Sequence, residues 1–320
     1  MIVCLGEALI DMIAMESGKS LEETERFEVR PGGAPANVAV AVARLGGRSA
    51  FIGKVGQDSF GRKLQSVMAG YGVNIGGMVE TDTAKTALAF VSLRKDGERE
   101  FSFYRDPGAD MLLQPDEVNE QLLEEAAVFH FGSISLASEP SRSATIHALE
   151  AAKKSNALIC YDPNWRPSLW PGQEEAKKRI LSVVQSVDLL KVNREELLFL
   201  TGREGLSEAV ELFHEMGVPM VLVTLDRKGC FYSYSNGKIR YSGQVEGIPV
   251  EAVDTTGAGD TFVGAFLTRW TEQNLNLAHI EQEEIEETIR FSVQASSITV
   301  TRRGAMAAMP DRREVEEATL

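Results

Sequence analysis

Residues 157–193, ALICYDPNWRPSLWPGQEEAKKRILSVVQSVDLLKVN, carry the pattern that decides the fold class. Two short apolar runs, ALICYD (157–162) and DLLKVN (188–193), bracket an amphipathic stretch at Gln173–Gln185 whose apolar residues recur every three or four positions. A buried strand, a helix and a second buried strand make a crossover unit, and crossovers join parallel strands. The alternation extends outward in both directions. IVCLG (2–6), SAFIGKV (49–55), AVFHFG (127–132) and MVLVTL (220–225) are further strand candidates, and Ser138–Lys154 and Leu206–Met216 further helices. The chain is expected to be α/β, with a mostly parallel central sheet covered on both faces. No internal repeat, low-complexity tract or dividing linker interrupts it, so residues 1–320 read as a single domain.

One region departs from this rhythm. ALAFVSLRKDGEREFSFYR (87–105) reads as two alternating strands around a Lys95-Asp96-Gly97 turn, and EALIDMIAME (7–16) and ERFEVR (25–30) are strand-like in the same way. Such strands do not fit a helix-covered parallel sheet. They are placed in a small antiparallel β flap beside it, built from about residues 8–31 and 84–106. The flap is either a lid that keeps water from reactive chemistry or an edge hairpin without that task.

At 43% hydrophobic, the chain has enough apolar material for a large core. Its 47 acidic residues against 33 basic give a net charge of −14, which repels polyanions such as nucleic acid and obliges any anionic ligand to find local donors. MIVCLGEALIDM, with Glu7 and Asp11 inside it, reads as a first strand and not as a signal peptide. No apolar run approaches the roughly 20 residues that span a bilayer. Cys4, Cys160 and Cys230 each sit in an apolar stretch, as expected of buried thiols in a cytoplasmic protein.

The strongest local signal is DTTGAGDTF (254–262), followed by a helical pattern. Gly257, Ala258 and Gly259 let backbone amides converge at a helix start, where unpaired N–H groups and the dipole favour an anion. Asp260 in the first turn either accepts the proton of a hydroxyl attacking a phosphate or merely complements the helix terminus. PGGAPAN (31–37) is a loop-to-helix junction in which Asn37 offers both a donor and an acceptor. Other nucleotide motifs fail. Gly18-Lys19-Ser20 lacks the upstream glycine of a Walker loop, no G-x-G-x-x-G follows the first strand, and neither H-R-D nor D-F-G occurs. His130, His147, His214 and His279 have no ligand spacing, and His130 reads as a core residue.

Together, GGAPANVAVAVARLGGRSAFIGKVGQDSFG (32–61) and DTTGAGDTF (254–262) resemble the two signatures of the PfkB, ribokinase-like carbohydrate kinases, in the family's order and about 200 residues apart. The resemblance runs from Gly6 to Gly304. It implies a three-layer αβα fold with a β lid, ATP and Mg²⁺ as phosphoryl donor and metal, and K⁺ as a further ion, while the exposed strand edges of the flap lead to the expectation of a homodimer through the lid. It also implies Asp260 as catalytic base and Gly257, Ala258 and Gly259 as anion hole. Asp11, Gly32, Gly33 and Asn37 match positions that bind sugar hydroxyls. Asn193 and Glu196 match the N-x-x-E element near the nucleotide phosphates, Glu196 acting on Mg²⁺ through water. Thr224 and Gly229 match the nucleotide loop, and Asp254, Thr256, Thr299, Arg302 and Gly304 match the positions around a monovalent cation.

Two departures stand out. The family's T-L-G is here Thr224-Leu225-Asp226, which would bring Lys228 toward the phosphates, and Val293 replaces an asparagine often found near adenine. GGAPANVA, the hairpin ending Phe103-Tyr104-Arg105-Asp106 and DPNWRP (162–167) resemble fructokinases of the family. The alternatives are a 2-keto-3-deoxygluconate kinase, whose acid group Arg105 and Arg166 would pair with, a ribokinase or another sugar kinase, and a sugar-binding regulator without activity.

Overall fold

The computed structural model describes residues 1–16, 18–93 and 99–318. The strands, in chain order, are β1 (Ile2–Leu5), β2 (Leu9–Ala14), β3 (Phe27–Gly32), β4 (Ser49–Gly56), β5 (Asn74–Thr81), β6 (Leu88–Leu93) and β7 (Arg99–Tyr104). They continue with β8 (Val128–Gly132), β9 (Leu158–Asp162), β10 (Leu189–Asn193), β11 (Met220–Thr224), β12 (Cys230–Ser235) and β13 (Arg240–Val245). The helices are α1 (Ala34–Arg44), α2 (Ser59–Gly70), α3 (Glu120–Glu124), α4 (Ser141–Lys154) and α5 (Gln173–Ser182), then α6 (Arg194–Thr201), α7 (Leu206–Glu215), α8 (Ala258–Glu272), α9 (Gln282–Val300) and α10 (Arg312–Glu317).

The six strands expected from apolar runs all form and join one sheet, in the order β13-β12-β11-β10-β9-β8-β1-β4-β5. Every neighbouring pair from β11 to β5 is parallel, and β12 and β13 add an antiparallel edge. Alternate residues of each strand feed opposite layers. Val3 and Leu5 of β1 and Val221 and Val223 of β11 pack with α4 to α7, whereas Ile2, Cys4, Met220 and Leu222 pack with α1, α8 and α9. Burial on both faces is why these strands read as unbroken apolar runs. Cys4, Cys160 and Cys230 are free and buried. His130 is a core residue as expected, and burial lowers its pKa to about 4.

A second sheet, β3-β2-β6-β7, stands beside the first. Its outer pairs are antiparallel, and β2 and β6 run parallel, Ile10 opposite Leu88 and Ile13 opposite Val91. The Lys95-Asp96-Gly97 turn lies outside the described residues. Leu9, Asp11, Ile13, Ala89, Val91 and Phe103 face the cleft between the two sheets. Met12, Val29 and Phe90 stand on the opposite face, where Phe90 packs against Phe27 and Tyr104.

Candidate active site

The cleft, of about 1080 Å³, opens at the carboxyl ends of the parallel strands and is roofed by the second sheet. In an open α/β sheet this edge is where loops and helix starts converge on a ligand. Asn193 and Thr224 end β10 and β11 there, Glu7 and Asn164 follow β1 and β9, and the start of α8 closes the floor.

Gly257 caps α8 at φ 77° in the left-handed region, and a Cβ there would stand 3.0 Å from Ala305 Cα, so the turn calls for glycine. The Ala258 N–H turns back to the Thr255 carbonyl at 3.3 Å, leaving the Gly259 and Asp260 amides as helix-start donors. The loop before the helix is assembled by Asp254. Its Oδ1 accepts the Thr256 N–H (3.0 Å) and hydroxyl (2.7 Å), and its Oδ2 accepts the Gly304 N–H at 2.9 Å.

Asp260 is 8% exposed. Its Oδ2 accepts from Asn37 Nδ2 at 2.8 Å, and its Oδ1 stands 3.5 Å from Asn164 Nδ2, at the limit of a hydrogen bond. Burial raises its pKa to about 6, a shift that Asn37 opposes, Asp162 reinforces, and Lys191 and Arg166 oppose. A carboxyl with that pKa is ionised at neutral pH yet basic enough to take a proton. Asn37 lies in the first turn of α1, and its Oδ1 is buried with no partner among the described residues. Such an orphan acceptor facing a cleft is a place for a ligand hydroxyl.

Asp11 on β2 lines the roof, and a Cβ on Gly32 would sit 2.1 Å from its Oδ2. Glycine at 32 is what lets the carboxylate reach its place. Gly33 lines the cleft as the N-cap of α1, and the buried Glu7 Oε1 accepts the Ala34 N–H at 2.9 Å, supplying from the segment after β1 a cap that glycine cannot. Burial pushes the Glu7 pKa up to about 7.

Asn193 and Glu196 form a capping box at the start of α6: Asn193 Oδ1 accepts the Glu196 N–H and Glu196 Oε2 the Asn193 N–H, both at 2.8 Å. Glu196 Oε1 accepts the Trp165 N–H, also at 2.8 Å. Burial raises the pKa of Glu196, and Asp162 adds to the rise.

The expected residues do not all meet. Asp11, Gly33, Asn37, Arg166, Asn193, Glu196, Thr224, Gly229, Asp254, Thr256, Gly304 and the 257–260 turn line the cleft, as does Val293. Arg105 does not, because its guanidinium is buried against Asp110 at 2.6 Å. Lys228 is exposed on the 226–228 turn and outside the cleft, where Asp226 and Arg227 line the wall instead. Thr299 is buried in α9, bonded to Thr261 and Ala295, and the Arg302 side chain pairs with Glu314 at 2.6 Å. Glu7, Asn164, Asp162 and Lys191 are additions to the expected set. Lys191 carried a signal, since a lysine inside an apolar strand run needs a buried partner, and Asp162 supplies it at 2.9 Å. Burial alone would lower the pKa of Lys191, but Asp162, Glu196 and Asp260 outweigh it and raise it.

Fold and site are those of a ribokinase-like sugar kinase. The chain belongs to the pfkB family of carbohydrate kinases, whose model matches residues 1–312. It is 50% identical over 316 residues to fructokinase-2 of Solanum habrochaites, covering 98% of this chain and 94% of that protein. Among solved structures it resembles a fructokinase with bound ATP from Xylella fastidiosa, with a TM-score of 0.89 and 37% identity over 98% of this chain and 96% of that one. A fructokinase double mutant from Vibrio cholerae O395, in a form with fructose, ADP and potassium ion bound, has a TM-score of 0.88 and 33% identity over the same shares.

Proposed function

We propose that the protein is an ATP-dependent fructokinase that converts fructose to fructose 6-phosphate. The observation that carries this reading is the buried carboxylate of Asp260, fixed by Asn37 at 2.8 Å in the first turn of a helix whose start faces the cleft. A primary hydroxyl placed between Asp260 and that helix start gives its proton to the carboxylate as its oxygen bonds to the γ-phosphorus and the bond to the β-phosphate oxygen breaks, releasing ADP. The Gly259 and Asp260 amides balance the phosphoryl charge, the Ala258 N–H being held by the Thr255 carbonyl. Asp11, Gly32, Gly33, Asn37 and Arg166 serve the sugar, and Asn193, Thr224 and Gly229 the nucleotide.

No cluster of three or more acidic, histidine or cysteine side chains able to hold a metal occurs among the described residues. An ion in this cleft therefore takes its ligands chiefly from phosphates and water, as Mg²⁺ does with nucleotides. Glu196, with both oxygens accepting backbone N–H groups, fits a role through that water shell. Mg²⁺ supplies neutralisation of the phosphate charge when bound. The loop that Asp254 ties to Thr256 and Gly304 is the place assigned to K⁺ in this reading.

Fructose is favoured over a keto acid because Arg105 is committed to Asp110 and the proteins similar at 37–50% identity reported above are fructokinases. Residues 1–320 work as one domain, with the second sheet as lid. A homodimer through the outer lid face is part of this reading, since Tyr104 there is 66% exposed beside Phe90. Placement in the cytoplasm fits the buried free thiols, and no helix among the described residues is long and apolar enough to cross a membrane.

The test is ADP release with fructose by the native protein and by Asp260→Asn. The variant is expected to keep sugar and ATP binding and to lose roughly 10² or more in kcat, the usual size of a general-base effect. Near-native turnover would remove Asp260 from the role.

A further inference from the structure

Beside the start of α8 lies a buried ammonium. Lys191, two residues before the end of β10, is 6% exposed and lines the cleft. Of its three donors one has a protein acceptor among the described residues, Asp162 Oδ2 at 2.9 Å. On its other side, its Nζ is 3.3 Å from the point a Cβ on Gly259 would occupy. The ammonium and the anion-binding turn are therefore contiguous, with no side chain between them.

We propose that Lys191 is a catalytic residue that donates to the transferring phosphoryl oxygens at the start of α8, and that Asp162 positions its ammonium for that contact. The proposal rests on the kinase reading and deepens it. With one protein acceptor among the described residues, this cleft-lining ammonium has further donors to offer a ligand, and an anionic phosphoryl oxygen is a stronger acceptor for them than a neutral sugar hydroxyl. Asp162 is suited to hold it because its other oxygen, Oδ1, accepts the Asn164 N–H at 3.1 Å, which fixes the carboxylate at the end of β9. Glu196, Asp260 and Arg166 are the other charged groups facing this point. A cation at the reacting phosphate also helps an acidic protein handle a nucleoside triphosphate: a lysine aimed from the sheet, in a cleft that Arg166 and Arg227 also line, supplies charge where charge develops.

The competing role is neutralisation of Asp162 alone, and two variants separate the two. Lys191→Met removes the ammonium, and Lys191→Met/Asp162→Asn removes it without leaving an unpaired carboxylate, so the second carries the test if the first fails to fold. Calorimetry with the β,γ-imido analogue of ATP and with ADP, both with Mg²⁺ and without sugar, is expected to show the analogue weakened about tenfold more than ADP in either variant. With fructose, kcat is expected to fall by roughly 10²–10³ while KM for the sugar stays within about twofold, the effect of losing one preorganised electrostatic donor. Equal weakening of analogue and ADP, or native turnover restored in the double variant, would overturn the proposal. Because the calorimetry needs no acceptor, a wrong sugar assignment would leave its result intact.

Discussion

At the scale of single residues, Asp260 binds function to a stability cost. Its carboxyl has a folded pKa of about 6, above the ordinary value of 3.8, because burial disfavours the charge. The stabilisation of the protonated form is complete below pH about 4 and is lost as pH rises through 6, so at pH 8 the folded protein bears the full penalty. Asp260→Asn is therefore expected to be more stable than the native protein at pH 8 by about 1–3 kcal/mol, with the gap closing toward pH 4, as read by thermal melts at both pH values. Activity should fall in the opposite sense, kcat/KM declining tenfold per pH unit below about 6 as the base is protonated, and a flat profile between pH 5 and 7 would contradict the role. Asp260 was legible in the sequence because three small residues before it dictate a helix start. Lys191 was legible only in part: a lysine in an apolar run calls for a buried partner, but that partner, Asp162, lies on a neighbouring strand 29 residues away.

Elements place these groups. α1 brings Asn37 to Asp260, and the end of β3 at Gly32 leaves room for the Asp11 carboxylate, which stands 2.1 Å from any Cβ added there. Gly32→Ala is expected to raise KM for the sugar tenfold or more while ADP affinity measured without sugar changes less than twofold, and an unchanged sugar KM would show that Asp11 is not held by this contact. Strands buried on both faces were legible as apolar runs. β5, β12 and β13 were not: β5 carries paired glycines, and edge strand β13 alternates exposed and half-buried residues along most of its length. The parallel pairing of β2 with β6 was also beyond a local pattern, since it joins segments some 75 residues apart and leaves no periodic trace.

For the whole molecule, a net charge of −14 limits the anions it can hold to those met by local donors: helix-start amides, a metal ion and Lys191. The second sheet leaves Phe90 and the 66% exposed Tyr104 on its outer face, and the proposed dimerisation there would cover them. Sedimentation is expected to give a species of about twice 35.0 kDa, and Phe90→Asp to shift it toward monomer. A native monomer would remove the lid interface from the account. The central claim, that this cleft phosphorylates fructose, is tested most directly by ADP release with fructose, ribose, 2-keto-3-deoxygluconate and adenosine, each with and without K⁺. The account predicts kcat/KM for fructose at least tenfold above the others, and preference for 2-keto-3-deoxygluconate, or no ADP release with any sugar, would contradict it.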